Sequence, residues 1–246
     1  ELSKGSNLHG VAGYCNLNEK QGITAGFRWF NHPETNVWDK DGNDAGTFTP
    51  KDWSVDVGYA RKLTDDLSVG ATARFIRSDM SGLDKDDAAN AVAFDLGLYY
   101  RRNFENWEQS QWAVGLQASN FGTKIDYGYG KYDQASKIAV GGMIDHVFTD
   151  KHRLQGTLDV ACQVLPNTNW GGSVGVEYTL LQIVAIRGGY HYGEQDNKLQ
   201  RYGTLGCGVG CHHIKADFAY LIPEKDSLLK NTWQVALSID LGLFKR

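Results

Sequence analysis

Apolar and polar side chains alternate with a period of two along almost the whole of this 246-residue chain. An extended strand points successive side chains to opposite faces, so each such run builds a sheet with one apolar and one polar face. Trp53, Val55, Val57 and Tyr59 alternate with Ser54, Asp56, Gly58 and Ala60, and Val69, Ala71, Ala73 and Phe75 alternate with Gly70, Thr72 and Arg74. The pattern returns at 8–17, 22–31, 92–101, 112–118, 138–148, 154–162, 170–178, 184–192, 202–210 and 214–222, and last from Trp233 through Leu243. This predicts about thirteen strands of roughly ten residues, the length of a tilted bilayer-crossing strand. Soluble sandwiches use strands of about 5–6 residues.

The polar face is charged, carrying Asp56, Arg74, Asp95, Arg101, Asp145, Arg153, Asp159, Glu177, Arg187, Asp217 and Asp240. A soluble up-and-down barrel puts that face in solvent, whereas a membrane barrel turns it into a hydrated lumen. Both alternate, and the connections decide between them. Short turns near 18–21, 64–66, 104–110, 150–151, 180–182 and 211–213 take turns with long connections at 32–52, 79–90, 121–136, 163–169, 193–201 and 223–230. Short turns on one side and long loops on the other belong to an outer-membrane barrel. Aromatics gather near strand ends, Trp29, Trp53, Trp112, Trp170, Tyr178, Tyr190 and Trp233 among them, as interfacial girdles require. The expected fold is all-β: an antiparallel up-and-down transmembrane β-barrel, its long loops extracellular and its C-terminus periplasmic. An even strand count then implies one strand upstream of residue 1 and about fourteen in the intact protein. Residues 1–246 form a single barrel domain in this reading, lacking an N-terminal segment and the first strand.

Composition removes other classes. The net charge of -4 and the absence of any Lys/Arg run exclude a nucleic-acid binder. No apolar stretch is long enough to span a bilayer as a helix.

Catalytic and metal motifs lack their structural context. Gly171-Gly172-Ser173-Val174-Gly175 matches the nucleophile elbow, which needs a strand–turn–helix, but it sits inside an alternating strand. Gly206 to Gly210 also continues into a strand instead of opening a helix. Cys207 and Cys211, four apart in an extended run, diverge too far to bridge or to share a metal with His212 and His213. Asp39 to Asp44 has the look of a calcium loop, but its twelfth position is Pro50 rather than Glu. Asp95 and Asp145 face arginines in a charge-balanced interior. No catalytic set, cofactor site or metal site is expected.

Several stretches carry a more specific signal: Gly26-Phe27-Arg28-Trp29-Phe30, Gly46 to Tyr59, Arg61-Lys62-Leu63-Thr64-Asp65, Gly70 to Asp79, Ala93 to Tyr100, and Ser119-Asn120-Phe121-Gly122-Thr123-Lys124-Ile125. In this order they resemble the PorV/PorQ family of Bacteroidetes outer-membrane proteins, barrels related to the FadL fatty-acid transporters. The resemblance implies a barrel of about fourteen strands, without enzymatic activity or cofactor. It also implies a role in type IX secretion, as a PorV-like shuttle for secreted cargo or a component of the attachment complex. The implied partners are the lipid bilayer, other outer-membrane or surface proteins of a secretion complex, and secreted cargo domains.

Aromatic and acidic side chains on the long loops suit protein contact. The candidate partner-binding residues are Trp38, Asp39, Asp41 and Phe48 on the 32–52 loop and Phe121, Tyr127, Tyr129 and Tyr132 on the 121–136 loop. The competing reading is a FadL-like transporter of hydrophobic small molecules, which requires an apolar lumen.

Overall fold

The computed structural model describes residues 6–38, 41–79, 88–107, 109–128, 130–194, 201–211, 213–224 and 230–244. Thirteen strands among them form one antiparallel sheet. In order across it they are β1 (Asn7–Asn18), β2 (Gln21–Asn31), β5 (Lys51–Lys62), β6 (Leu67–Asp79), β7 (Ala89–Asn103), β8 (Gln111–Gly122), β11 (Lys137–Thr149), β12 (His152–Gln163), β13 (Asn169–Leu180), β14 (Val184–Gly193), β15 (Tyr202–Cys211), β16 (Ile214–Pro223) and β17 (Trp233–Ile239). Each pairs with the next in the chain, apart from two excursions. The pairs β3 (Thr35–Trp38) with β4 (Asp44–Phe48), and β9 (Ile125–Asp126) with β10 (Lys131–Tyr132), are small ribbons inside the two longest connections.

The alternation read from the sequence is the alternation of the sheet, and its sidedness is inverted relative to a water-soluble protein. Val57, Leu96 and Leu237 are 59%, 63% and 65% exposed, in company with most of the large apolar side chains. Among the described residues the largest fully buried side chains are instead Asp145, Ser110 and Ser136, and the buried apolar ones are alanines. Leaving that much apolar surface outside is unfavourable in water and favourable against acyl chains. The outward aromatics lie toward both strand ends. On β13, Trp170 and Tyr178 are separated by roughly 26 Å along the strand at ~3.3 Å per residue, against an apolar band of about 25 Å.

The charged face carries glycines and alanines between its ionic groups. A cavity of about 610 Å³ lies against it, lined by Gly58, Gly70, Gly97, Gly115, Ala139 and Gly141 among others. We call this space the lumen.

Two features differ from the sequence expectation. The last strand stops at Ile239, and Leu241–Phe244 form a 3-10 turn instead of continuing the alternation. Asp240 causes the break: its carboxylate accepts the Gly242 N–H at 2.9 Å, while its own N–H donates to His213 O. The 32–52 and 121–136 connections are also not plain loops, since each contains a ribbon. The edges of the sheet, β1 and β17, run in the same direction, as the first and last of an odd number of antiparallel strands must.

Candidate functional site

The long-loop end of the sheet is organised by a chain of charges that crosses neighbouring strands on the lumen face. Arg28 on β2 donates to Asp56 Oδ1 on β5 at 3.0 Å, and Arg74 Nε on β6 reaches the same oxygen at 3.4 Å. Arg74 Nη2 then donates to Asp95 Oδ2 on β7 at 2.9 Å, while its Nη1 donates to Asn120 Oδ1 on β8. One guanidinium fork thus joins four strands, a task its planar donor geometry suits. Gly26 provides the space, because a Cβ there would stand 2.4 Å from Asp56 Oδ2.

This chain ends at a β-bulge. Phe94 pairs with Phe121 and Leu96 with Ala118, so Ser119 and Asn120 together face Asp95 alone. Asn120 takes a left-handed conformation, with φ of 59°, and its N–H donates to Asp95 Oδ1 at 2.8 Å. A bulge bends its strand and turns the backbone beyond it. Here it directs the chain off β11 and into the 121–136 connection. The far root of that connection is bound to the same place. Ser136 Oγ donates to Asn120 O at 2.6 Å, Asn120 Nδ2 to Ala135 O at 3.2 Å, and Gln134 Nε2 to both Val92 O and Thr123 O. Ser136 and Gln134 are buried. This connection therefore has polar roots sunk into the wall, and its β9–β10 ribbon is held further by Lys124–Asp133 and Lys131–Asp126 ion pairs at 3.1 and 3.0 Å.

A second hydrogen-bonded chain ties the two long connections together. His32, at the start of the first, lies 2.7 Å from Asp52 Oδ2 at its end. Ser78 donates to Asp52 Oδ1, and the Tyr127 hydroxyl lies 2.9 Å from Ser78 Oγ. A serine hydroxyl has one proton to give, so with Asp52 as its acceptor, Ser78 receives the proton of Tyr127.

These contacts assign different places to the sequence candidates. Trp38 is 60% exposed on the β3–β4 ribbon and Tyr132 is 52% exposed on the β9–β10 ribbon. Asp41 is exposed in the turn of the first ribbon, and Phe48 is half-buried at its foot. Tyr127 turns inward to Ser78 and packs edge-on against Tyr132, with ring centroids 5.8 Å apart. Phe121 stands on the outward face as ladder partner of Phe94, among the girdle aromatics. Asp39 and Tyr129 lie outside the described residues. Asn120, Gln134 and Ser136 were not picked out by sequence reasoning, although Asn120 falls within one of the distinctive stretches. For Asn120 the signal is a short polar residue beside Phe121-Gly122, visible only once the bulge is known; Gln134 and Ser136 carry no such signal.

At the opposite end of the lumen a second ionic group balances its own charges. Asp145 on β11 accepts Arg153 Nε at 2.6 Å and Gln111 Nε2 at 2.9 Å, and Arg187 joins Glu177 to Asp217. Arg187 reaches Asp217 across β15 past Gly208, where a Cβ would stand 2.4 Å from Asp217 Oδ1.

Ser173 lies within β13, as its alternation predicts. Its hydroxyl is 2.9 Å from His191 Nδ1, and the His191 ring stacks on Tyr202 at 5.0 Å. Asp159 is the ladder partner of Ser173 itself, on the side away from His191. A carboxylate in that position does not orient the imidazole, and the neighbouring backbone N–H groups belong to strand ladders instead of an oxyanion hole.

A family profile for type IX secretion system protein PorV matches residues 2–169. No curated protein matches the sequence. Among solved structures, P. aeruginosa FpvA bound to heterologous pyoverdines aligns with a TM-score of 0.41 at 11% identity, over 94% of this chain and 45% of that one. The matched segment holds β1 to β12, including the Arg74–Asp95–Asn120 chain and both ribbon-bearing connections, and on this match the chain belongs to the PorV family of type IX secretion system proteins.

Proposed function

We propose that the chain is a non-enzymatic docking protein of type IX secretion, a single barrel domain whose long loops face the cell exterior and receive secreted cargo or a partner complex. Membership in the PorV family fits an outer-membrane component of that secretion system. The observation supporting the docking role is the fixed root of the 121–136 connection. Gln134, Ser136 and Asn120 hold its backbone to the wall, so the ribbon is a preorganised platform that loses little freedom on binding. Trp38 and Tyr132 are the anchors in this reading, because exposed large aromatics on stiff ribbons are what protein partners bury. Asp41 brings a negative charge to the turn of the ribbon that carries Trp38, and Phe48 and Tyr127 lie at the feet of the two ribbons. The partners are surface or outer-membrane proteins of the secretion complex and the secreted domains they handle.

The test is affinity purification of the tagged chain from native outer membranes, comparing wild type with Trp38→Ala, Tyr132→Ala and the double variant. Truncating an anchor residue costs at least about 2 kcal/mol, or roughly thirtyfold in affinity. Co-eluting secretion proteins should therefore fall away while the heat-modifiable gel migration of the folded barrel stays as in wild type. A double variant that keeps its partners and displays cargo normally removes these ribbons from the mechanism.

A further inference from the structure

The hydrogen bond between Tyr127 and Ser78 has a geometry that docking does not need. Ser78 is buried, and it stands with Asp52, Asp56 and Arg74 on the lumen phase of β5 and β6. The ribbon that carries Tyr127 springs from β8 and returns to β11, on the far side of β7. To place its hydroxyl on Ser78, the ribbon must lean back over the upper end of β7 and across the lumen mouth, and β9 packs against β7 in doing so. Below it, the lumen wall is lined by Gly58, Gly70, Gly97, Gly115 and Gly141 around the cavity of about 610 Å³. The ribbon thus folds inward over the rim of the sheet, on the lumen side of β6 and β7.

We propose that the Ile125–Tyr132 ribbon is a lid on the outer mouth of the lumen, latched by the His32–Asp52–Ser78–Tyr127 chain. The latch is built to be released from the neighbouring loop. His32 and Asp52 bracket the 32–52 connection, and Asp52 is the acceptor that fixes the Ser78 hydroxyl for Tyr127. A partner that draws Asp52 or His32 away leaves Ser78 without its orienting acceptor and weakens the hold on Tyr127. The root at Asn120, Gln134 and Ser136 stays fixed when the ribbon lifts, because its bonds lie outside the ribbon and need not break. Access to the lumen is then controlled from the outer surface, whichever partner the loops receive.

The experiment measures lumen access from outside. Cys15, Cys162, Cys207 and Cys211 are replaced by alanine, and Gly97→Cys is introduced as a lumen reporter. A Cβ at Gly97 meets only Leu116 O, at 3.9 Å, so the wall accepts the change. Porin-free liposomes carrying the protein inserted with its long loops outward are exposed to a small membrane-impermeant charged maleimide. Asn43→Cys, on the outer ribbon, reports that the reagent is active, and Asp65→Cys, at the short-turn end, that it stays outside. Tyr127→Phe removes the latch hydroxyl and keeps the ring against Tyr132, and Ser78→Ala removes its partner. Each should raise the Gly97→Cys labelling rate about fivefold, the effect of one net hydrogen bond, and leave Asn43→Cys unchanged. If Tyr127→Phe and Ser78→Ala label the lumen at the latched rate, whether that rate is fast or slow, the ribbon is not a latched lid. Labelling is read with no partner present and docking is read by co-elution, so failure of the docking reading leaves the lid standing, and the reverse also holds.

Discussion

At the scale of single residues, the bulge on β8 decides how the long-loop end is built, and Gly122 is its critical position. A Cβ there would lie 1.9 Å from Val92 O and 2.8 Å from Ala93 Cα, both backbone atoms that cannot swing aside. Gly122→Ala must therefore push β7 and β8 apart beside the bulge. It should cost about 1–3 kcal/mol, the usual penalty of overpacking, read as a lower urea midpoint for the barrel refolded into lipid. Little of this was legible beforehand. Ser119 to Ile125 stood out as a distinctive stretch, but a bulge pairs two residues against one, and the register of β7 against β8 is not written in either strand alone. The lumen charges were legible as a balanced set, whereas the route of Arg74 to Asp56, Asp95 and Asn120 was not. A second residue-scale expectation concerns Asp126, outside the strands that cross the bilayer. The Lys131 ammonium, helped by the Gly128 N–H, holds its carboxyl below the usual carboxylate range. A lowered pKa gives stabilisation that is present at neutral pH and lost as pH falls through the lowered value. The β9–β10 ribbon should loosen only in acid, and Lys131→Met should raise the Asp126 titration toward its ordinary value, as followed by carboxyl-carbon NMR. An unchanged titration would mean that the ion pair does not form in solution.

At the scale of strands, the period-two reading succeeded because both faces of a membrane strand have strong and opposite demands. A slip of one residue would put Asp56 into lipid and Val57 into the lumen, so phase is tightly specified. That makes a sharp prediction on β17. Leu237 is outward and Ser238 is the lumen-side ladder partner of Lys215. Leu237 lies close to the short-turn end, its partner Ala216 being two residues from the start of β16, so Leu237→Arg should cost about 1 kcal/mol rather than the larger midplane penalty, seen as slower and less complete barrel assembly in a urea-dilution refolding assay. Ser238→Asn should assemble close to wild type. Equal behaviour of the two would mean the faces are assigned backwards. The alternation was less informative at strand ends and inside the long connections. Leu241 and Leu243 keep the apolar phase, yet Asp240 diverts the chain into a turn, because a local side-chain bond to Gly242 competes with the ladder. The ribbons β3–β4 and β9–β10 are only two to five residues per strand, too short for periodicity to register.

At the scale of the whole molecule, the sheet and the long connections have separable sources of stability, and this fixes where the chain tolerates surgery. The sheet is held by ladders between chain neighbours and by lumen ion pairs, none of which involves residues 124–133. The outer connection is held at its roots by Thr123, Gln134 and Ser136, and Thr123 N donates to Val92 O at 2.9 Å. A cut that removed the whole of 121–136 would take the bulge and its buried polar partners with it, leaving Asp95 and Arg74 without Asn120. Excision of 124–133, with a short glycine link between Thr123 and Gln134, keeps every root contact and deletes only the ribbon. Loops of this kind change length at small thermodynamic cost. The excised protein should reach the outer membrane, migrate as a folded barrel before heating, and retain the urea midpoint of wild type within about 1 kcal/mol, the usual scale of a surface change. The same protein should lose co-purifying secretion partners and surface display of cargo. The two outcomes separate platform from scaffold: a barrel that no longer assembles would place the ribbon in the folding of the sheet, and an assembled barrel with normal cargo display would take the β9–β10 ribbon out of docking and leave Trp38 on the neighbouring ribbon to carry it alone.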